Sequence, residues 1–312
     1  MSNPISNLRE APRNLPAVIM PVGPGREAVL DTLASIECYC PEPHIVVIVD
    51  DCTKDGTYEA LSAERRPNWH ILRNKRPMGI SRLVHSLCLA YRFVLAETQC
   101  DLVLRLDQDA LLIGSGIMTD AISYMKLNPS VGLFGVYDHD YNRPRSFEMH
   151  EKQIKKELIW PKRLLGIGPA WADLLAMAEA RGYHRGENVF GGAYFVTREC
   201  LAAMEKIGAL DVPYYWNSKM MEDVYFSMAT VAAGLKLGHF AAPEGPLCLE
   251  WRGLPYPARE LAKTGYKIVH SVDKGKNTDP DANGGKTARE VFQDLRPARI
   301  NVPGYQFGGP RQ

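Results

Sequence analysis

Short apolar, β-branched runs alternate with stretches of helical spacing over the first third of the chain. Residues 17–23 form the first run and end in Gly23-Pro-Gly25. Residues 26–38 follow with apolar positions at Val29, Leu30, Leu33 and Ile36, the spacing of an amphipathic helix. The second run, 45–49, is Ile-Val-Val-Ile-Val, as suits a parallel strand covered on both faces. Residues 69–72 predict a third strand, 81–98 an amphipathic helix, and 102–106 a fourth buried strand. Such alternation predicts an α/β fold whose central sheet is mostly parallel, twisted and flanked by helices.

Beyond Leu112 the pattern loosens. A helix near 118–127 and a strand at 131–136 are expected, and a polar, aromatic-rich segment opens at Tyr137. Charged residues at 148–157 and an amphipathic pattern at 171–181 predict two more helices, and 137–190 reads as an insertion or substrate lid. Gly191-Gly192 precedes an apolar strand and then a helix; paired glycines permit close backbone approach to a ligand, or a tight turn. Another helix begins near Met220, and strands are expected at 234–240 and 265–271. Residues 1–16 carry three prolines and read as a flexible arm. From Lys274 onward glycine, proline, asparagine and charge dominate, so 274–312 is expected to be a mobile C-terminal tail.

Composition narrows the function classes. A chain of 312 residues can bury a large core in one elaborated domain. Its 37 basic and 36 acidic side chains nearly cancel, so charge gives no footprint for nucleic acid or membrane adhesion and a small-molecule partner is left by elimination. No run approaches the ~18–20 apolar residues of a spanning helix, and the polar start lacks an apolar signal region. A soluble, cytoplasmic protein is expected. Of seven cysteines only Cys38 and Cys40 are close, which is poor zinc spacing and favours free thiols in a reducing compartment.

Candidate chemistry gathers at strand ends. Asp107 and Asp109 close the fourth strand; at i and i+2 of an extended segment they share a face and can offer several oxygens to one hard divalent cation, or else cap the next turn. Asp50 and Asp51 close the second strand, where open α/β sheets bind ligands. They can accept from a base N–H or from ribose hydroxyls, or organise the turn while Thr57 caps the next helix. Arg73, Lys75, Arg76 and Arg82 suit phosphate contact beside a helix N-terminus, or are solvated loop charges. Asp138-His139-Asp140 has metal-ligand residue types but reads better as a turn. Glu222-Asp223 falls in the first turn of a helix, whose dipole it would complement in any case. Trp160, Trp171, Tyr183, Tyr214, Tyr215 and Trp216 can stack on sugar faces or belong to the core. Nucleophile-elbow, phosphate-loop and dinucleotide-fingerprint glycine patterns are absent from the sequence, so serine-hydrolase, kinase-like and dehydrogenase readings fall away.

Four features in one order resemble the GT-A fold glycosyltransferases, most closely family 2: Asp50-Asp51 with Asp55-Gly56-Thr57, Asp107-Gln108-Asp109, the Gly191-Gly192 strand with Arg198, and Glu222-Asp223. The resemblance covers about residues 17–240. It implies a single catalytic domain over 17–273, with a nucleotide-sugar half at 17–115 and an acceptor half at 191–273. It further implies base contact by Asp51 with Asp50 beside it, and Mn²⁺ or Mg²⁺ held by Asp109 and Asp107 on the donor diphosphate. The catalytic base would be Asp223, with Glu222 orienting the acceptor. Gly191, Gly192 and Trp216 would lie on the acceptor side. Where relatives carry Arg-Asn after the glycine-containing segment, this chain has Val84-His85, and Arg82 is the substitute donor contact. Many relatives add a histidine metal ligand, for which His270 is the candidate and His239 the reserve. The implied activity is metal-dependent, inverting transfer of a sugar from a nucleotide-diphospho-sugar, a UDP-sugar foremost, to a hydroxyl acceptor. A sugar-1-phosphate nucleotidyltransferase and a non-catalytic nucleotide-sugar-binding protein are the alternatives.

Overall fold

The computed structural model describes residues 15–64, 66–140, 143–144, 146–158, 171–211, 218–242 and 244–297. The first half alternates strand and helix: β1 (Ala17–Val22), α1 (Arg26–Tyr39), β2 (Ile45–Asp50), α2 (Thr57–Glu64), β3 (Trp69–Arg73), α3 (Leu83–Glu97) and β4 (Leu102–Leu106). All residues of β1, β2 and β4 are buried, as strands covered on both faces require. Next come β5 (Ala110–Leu112), α4 (Ile117–Leu127), β6 (Val131–Gly135), a small hairpin of β7 (His139–Asp140) and β8 (Arg143–Pro144), then α5 (Glu148–Glu157) and α6 (Ala172–Glu179). The rest comprises β9 (Ala193–Thr197), α7 (Arg198–Lys206), α8 (Glu222–Ala232), β10 (Lys236–His239), β11 (Leu247–Leu249), α9 (Ala258–Leu261), β12 (Ile268–His270) and α10 (Ala288–Leu295).

Seven strands form the central sheet in the order β10-β6-β9-β4-β1-β2-β3. Neighbours run parallel except at β9, which is antiparallel to both β4 and β6. A second sheet, β11-β12-β5, packs beside it. Apolar side chains from alternate positions of β4 divide between two cores: Val103 faces the layer of α3, α6, α7 and α8, whereas Leu102, Leu104 and Leu106 face α1, α4 and the small sheet. A third cluster lies between the far face of the small sheet and α9 and α10. The expected mixed α/β architecture, with a mostly parallel sheet between helices, is therefore the one formed. No helix among the described residues is long and apolar enough to cross a membrane.

Two local expectations change. Asp55, not Thr57, caps the start of α2: its carboxylate accepts the Thr57 N–H and hydroxyl and also the Gly25 N–H, tying the β1–α1 and β2–α2 turns together. Those bonds, Thr57's hydroxyl first, hold its carboxyl down at about 2. The stretch from Lys274 was expected to be mobile. Instead the chain is folded as far as 297, because Thr287 and Glu290 form a capping box and Val291 and Phe292 enter the third cluster. Arg289 fastens that helix to the body through Asp31, Asp273 and the carbonyl of Gln108. Phe292→Ala should lower unfolding stability by about 3–5 kcal/mol in chemical denaturation; a midpoint unchanged from wild type would mean that α10 does not dock.

Candidate metal and acid–base site

The chain leaves the large sheet at Leu106 and joins the small one at Ala110, so Asp107, Gln108 and Asp109 bridge the two sheets. Asp107 N–H donates to the Gly192 carbonyl (2.8 Å), and Val272 N–H donates to the Asp109 carbonyl (3.0 Å). Gln108 accepts from Gly23 N–H through its side chain and donates to the Pro24 carbonyl, bracing the β1–α1 turn. Antiparallel register sets His270 opposite Ala110. The imidazole Nε2 consequently lies 3.2 Å from Asp109 Oδ1 and 3.7 Å from Asp107 Oδ2. One ligand atom from each of the three residues falls within 4.8 Å of the others, the one such metal-type group among the described residues.

The hydrogen bonds around the group say what it is built to hold. His270 Nδ1 is 2.9 Å from the Glu250 carbonyl, which can only accept, so Nδ1 carries a proton and Nε2 is the nitrogen turned toward both carboxylates, as an N–H donor without metal and as a lone pair toward a bound cation. Ser271 hydroxyl donates to Asp109 Oδ2 (2.6 Å), which leaves Oδ1 for the shared space. Burial alone would lower the His270 pKa, but the hydrogen bond to Asp109 and the charges of Asp107 and Asp109 drive it up. For Asp109 burial acts upward, and it is outweighed by the His270 hydrogen bond and charge and by Ser271, so its carboxyl falls well below the usual range. Both shifts express a demand for positive charge at one point. Two carboxylate oxygens and one imidazole nitrogen, with room for further oxygens, fit Mn²⁺ or Mg²⁺.

Behind this group stands Arg105, fully buried in β4 on the same face as Asp107. Its Nη2 reaches Asp107 Oδ1 (2.8 Å) and Glu222 Oε1 (2.9 Å), and its guanidinium lies over Tyr194, its cross-strand partner, at 5.5 Å from the ring centroid. Burial pushes the Glu222 carboxyl up to about 7 against the pull of Arg105, with Asp223 and Asp107 adding to the rise. Asp223 Oδ2 accepts from Asn188 Nδ2 (2.8 Å) and from Gly191 N–H (3.1 Å), and Val224 N–H lies 2.8 Å from Oδ1. Between the acid pair and the metal-type group runs the Gly191-Gly192 dipeptide. A Cβ on Gly191 would sit 3.2 Å from Glu222 Oε1; one on Gly192 would sit 2.7 Å from His270 Cγ and Nδ1, at a backbone φ of +87°. Glycine is required at 192, where both the backbone conformation and His270 exclude a side chain, and at 191 it leaves the backbone in close approach to Glu222.

The other candidate residues have the following surroundings. Asp50 has no exposed surface; its carboxylate accepts from Thr53 and pairs with Arg73, so both Asp50 and Arg73 hold the β2–α2 turn. Asp51 is partly exposed, and its oxygens accept from Asn74 Nδ2, Met78 N–H and Gly79 N–H, which shapes the loop before α3. Arg82 ends the 3₁₀ turn Ile80–Arg82 ahead of α3, its Nε buried without a hydrogen-bond partner. His239 is elsewhere: its Nδ1 accepts from the backbone N–H groups of Tyr137 and Asp138. Trp171 and Tyr183 are core residues, not stacking surfaces. Trp160, Tyr214, Tyr215 and Trp216 lie outside the described residues. Sequence reading missed Arg105, Asn188 and Ser271. A signal existed for Arg105, since a cation inside an apolar buried strand must find a counter-charge.

No family model and no curated protein matches the chain. Among solved structures it is similar to a mannosyltransferase from Pyrobaculum calidifontis in complex with GDP-mannose and Mn²⁺, with 18% identity and a TM-score of 0.48. The alignment covers 86% of this chain and 60% of that one. The glycine pair gives the site its own test. Gly192→Ala should cost about 2–5 kcal/mol, combining a left-handed backbone with overpacking against His270, and should abolish Mn²⁺ binding in calorimetric titration; an alanine variant that binds as wild type would contradict the crowding described.

Proposed function

We propose that the chain is a metal-dependent glycosyltransferase that moves a sugar from a nucleotide-diphospho-sugar to a hydroxyl acceptor with inversion. One observation carries this reading: an Asp107–Asp109–His270 group built for a divalent cation faces an acid pair, Glu222–Asp223, across two glycines. Asp109 and His270, with Asp107, would hold Mn²⁺ or Mg²⁺. When bound, the cation supplies the positive charge that a departing nucleoside diphosphate requires.

The protein's own groups divide the remaining work. Asp223 is assigned as the base that takes the acceptor hydroxyl proton while the sugar–oxygen bond forms, and the N–H groups of Asn188 and Gly191 fix its orientation. Glu222, fixed on Arg105, orients the acceptor. Asp51 and the loop it organises are assigned to the nucleotide, with Arg82 beside the donor phosphates. Attack on the face opposite the leaving diphosphate gives single displacement and inversion. Residues 137–190 are proposed to cover the substrates, and the cytoplasm is the proposed location. The donor base is left to experiment among UDP and GDP sugars.

Melting of wild type and Asp109→Asn with UDP, GDP, TDP or CDP, each with and without Mn²⁺, tests the reading. One diphosphate should raise the melting temperature by a few degrees only when Mn²⁺ is present, through selective binding to the native state, and Asp109→Asn should lose that response. Asp223→Asn should keep it while losing at least about 10²-fold in transfer rate. Stabilisation independent of metal, or none with any diphosphate, would contradict the proposal. Binding without transfer would favour a nucleotide-sugar-binding protein, and pyrophosphate release from a nucleoside triphosphate and a sugar phosphate would favour a nucleotidyltransferase.

A further inference from the structure

Arg105 interrupts a strand whose other four residues are apolar, and no part of it reaches solvent. Burying a guanidinium is costly unless its charge and its N–H groups are matched. Here the matching is uneven. Nη2 alone serves both Asp107 Oδ1 and Glu222 Oε1, whereas Nε and Nη1 are buried without hydrogen-bond partners. The ring of Tyr194 lies against the guanidinium and supplies no acceptor oxygen to those two nitrogens. A guanidinium that served packing alone would gain by spreading its donors. This one concentrates a single nitrogen between two carboxylates that belong to different parts of the site, Asp107 in the metal-type group and Glu222 beside Asp223 at the start of α8.

We propose that Arg105 is a positioning residue that couples the metal group to the acid pair, sharing one positive charge between Asp107 and Glu222. The inference rests on the reading of Asp107, Asp109 and His270 as the metal-binding group. A cation drawing on Asp107 frees part of the Arg105 charge, which then falls on Glu222 and steadies it as a carboxylate beside the acceptor. Conversely, removing the charge of Glu222 leaves Arg105 to Asp107 alone and makes Asp107 a poorer ligand. Because Arg105 and Glu222 are buried and Nη2 lies about 3 Å from each carboxylate, the exchange is less screened than between surface charges, although Asp107 is partly exposed. By linkage it must act equally in both directions. The consequence for the proposed reaction is cooperativity: metal on Asp107 and an ionised Glu222 on the acceptor side each favour the other.

Mn²⁺ affinity, read at pH 8 from the electron-spin resonance of the free ion, tests this on the wild type, Glu222→Gln, Arg105→Met, Arg105→Lys and the Arg105→Met/Glu222→Gln double variant. Thermal melts without metal establish that each is folded. Glu222→Gln should weaken Mn²⁺ binding by about five-fold or more, although Glu222 is outside the metal-type group. With Met at position 105 the same change should alter binding by less than about two-fold, and Arg105→Lys, which keeps the charge, should retain affinity closer to wild type than Arg105→Met. If Arg105→Met does not fold, the Glu222→Gln response and the lysine variant decide the matter. A Glu222→Gln protein that binds Mn²⁺ as tightly as wild type overturns the coupling, and so does an equal response with and without Arg105. Wild type that binds no Mn²⁺ at all overturns the metal reading itself, and the coupling with it.

Discussion

Two carboxylates brought together with an imidazole nitrogen, their ligand atoms within 4.8 Å of one another, repel each other unless something positive is placed among or behind them. Nearly every contact around Asp107, Asp109 and His270 serves to hold that arrangement. Ser271 takes one oxygen of Asp109, the Glu250 carbonyl fixes a proton on Nδ1, and Arg105 supports Asp107 from the core. The open side is left to a divalent cation. A carboxylate pair at the end of a strand is common; a histidine whose Nδ1 is held by a carbonyl so that Nε2 faces the pair is the more specific feature.

The fold makes this possible by passing from one sheet to another at the Asp-x-Asp turn. β4, parallel to β1 on one side and antiparallel to β9 on the other, ends at Leu106, and β5 begins at Ala110 in an antiparallel pairing with β12 that delivers His270. β9, the antiparallel member of the large sheet, brings Gly191 and Gly192 alongside the same turn. The start of α8 then sets Glu222 and Asp223 against those glycines. Four separate stretches thus meet at a dipeptide without side chains. The C-terminal helix contributes from behind, since Arg289 donates to the carbonyl of Gln108 within the turn.

Much of this was legible along the chain. Runs such as Ile45 to Val49 admit few readings other than a buried strand, and the acidic pair closing the fourth run marked the metal candidate, although Asp107 and Asp109 converge through a turn and not by sharing the face of an extended strand. The choice between His270 and His239 was not legible, because each sits on a short strand and only the β5–β12 register separates them. Asp50 looked like a ligand contact because it sits at a strand end; its carboxylate is spent on Thr53 and Arg73, partners that local sequence does not assign. The C-terminal segment misled through composition. Its glycines and proline suggested a loose tail, while the Thr287/Glu290 capping box and the apolar pair Val291 and Phe292 carried the helix signal.

Anomalous diffraction at the manganese edge, from crystals grown with Mn²⁺ and the stabilising nucleoside diphosphate, tests the central claim most directly. The account predicts one strong peak within coordination distance of Asp109 Oδ1 and His270 Nε2, with the diphosphate on its open side. A metal peak elsewhere, or a diphosphate seated away from Asp107, Asp109 and His270, would contradict it.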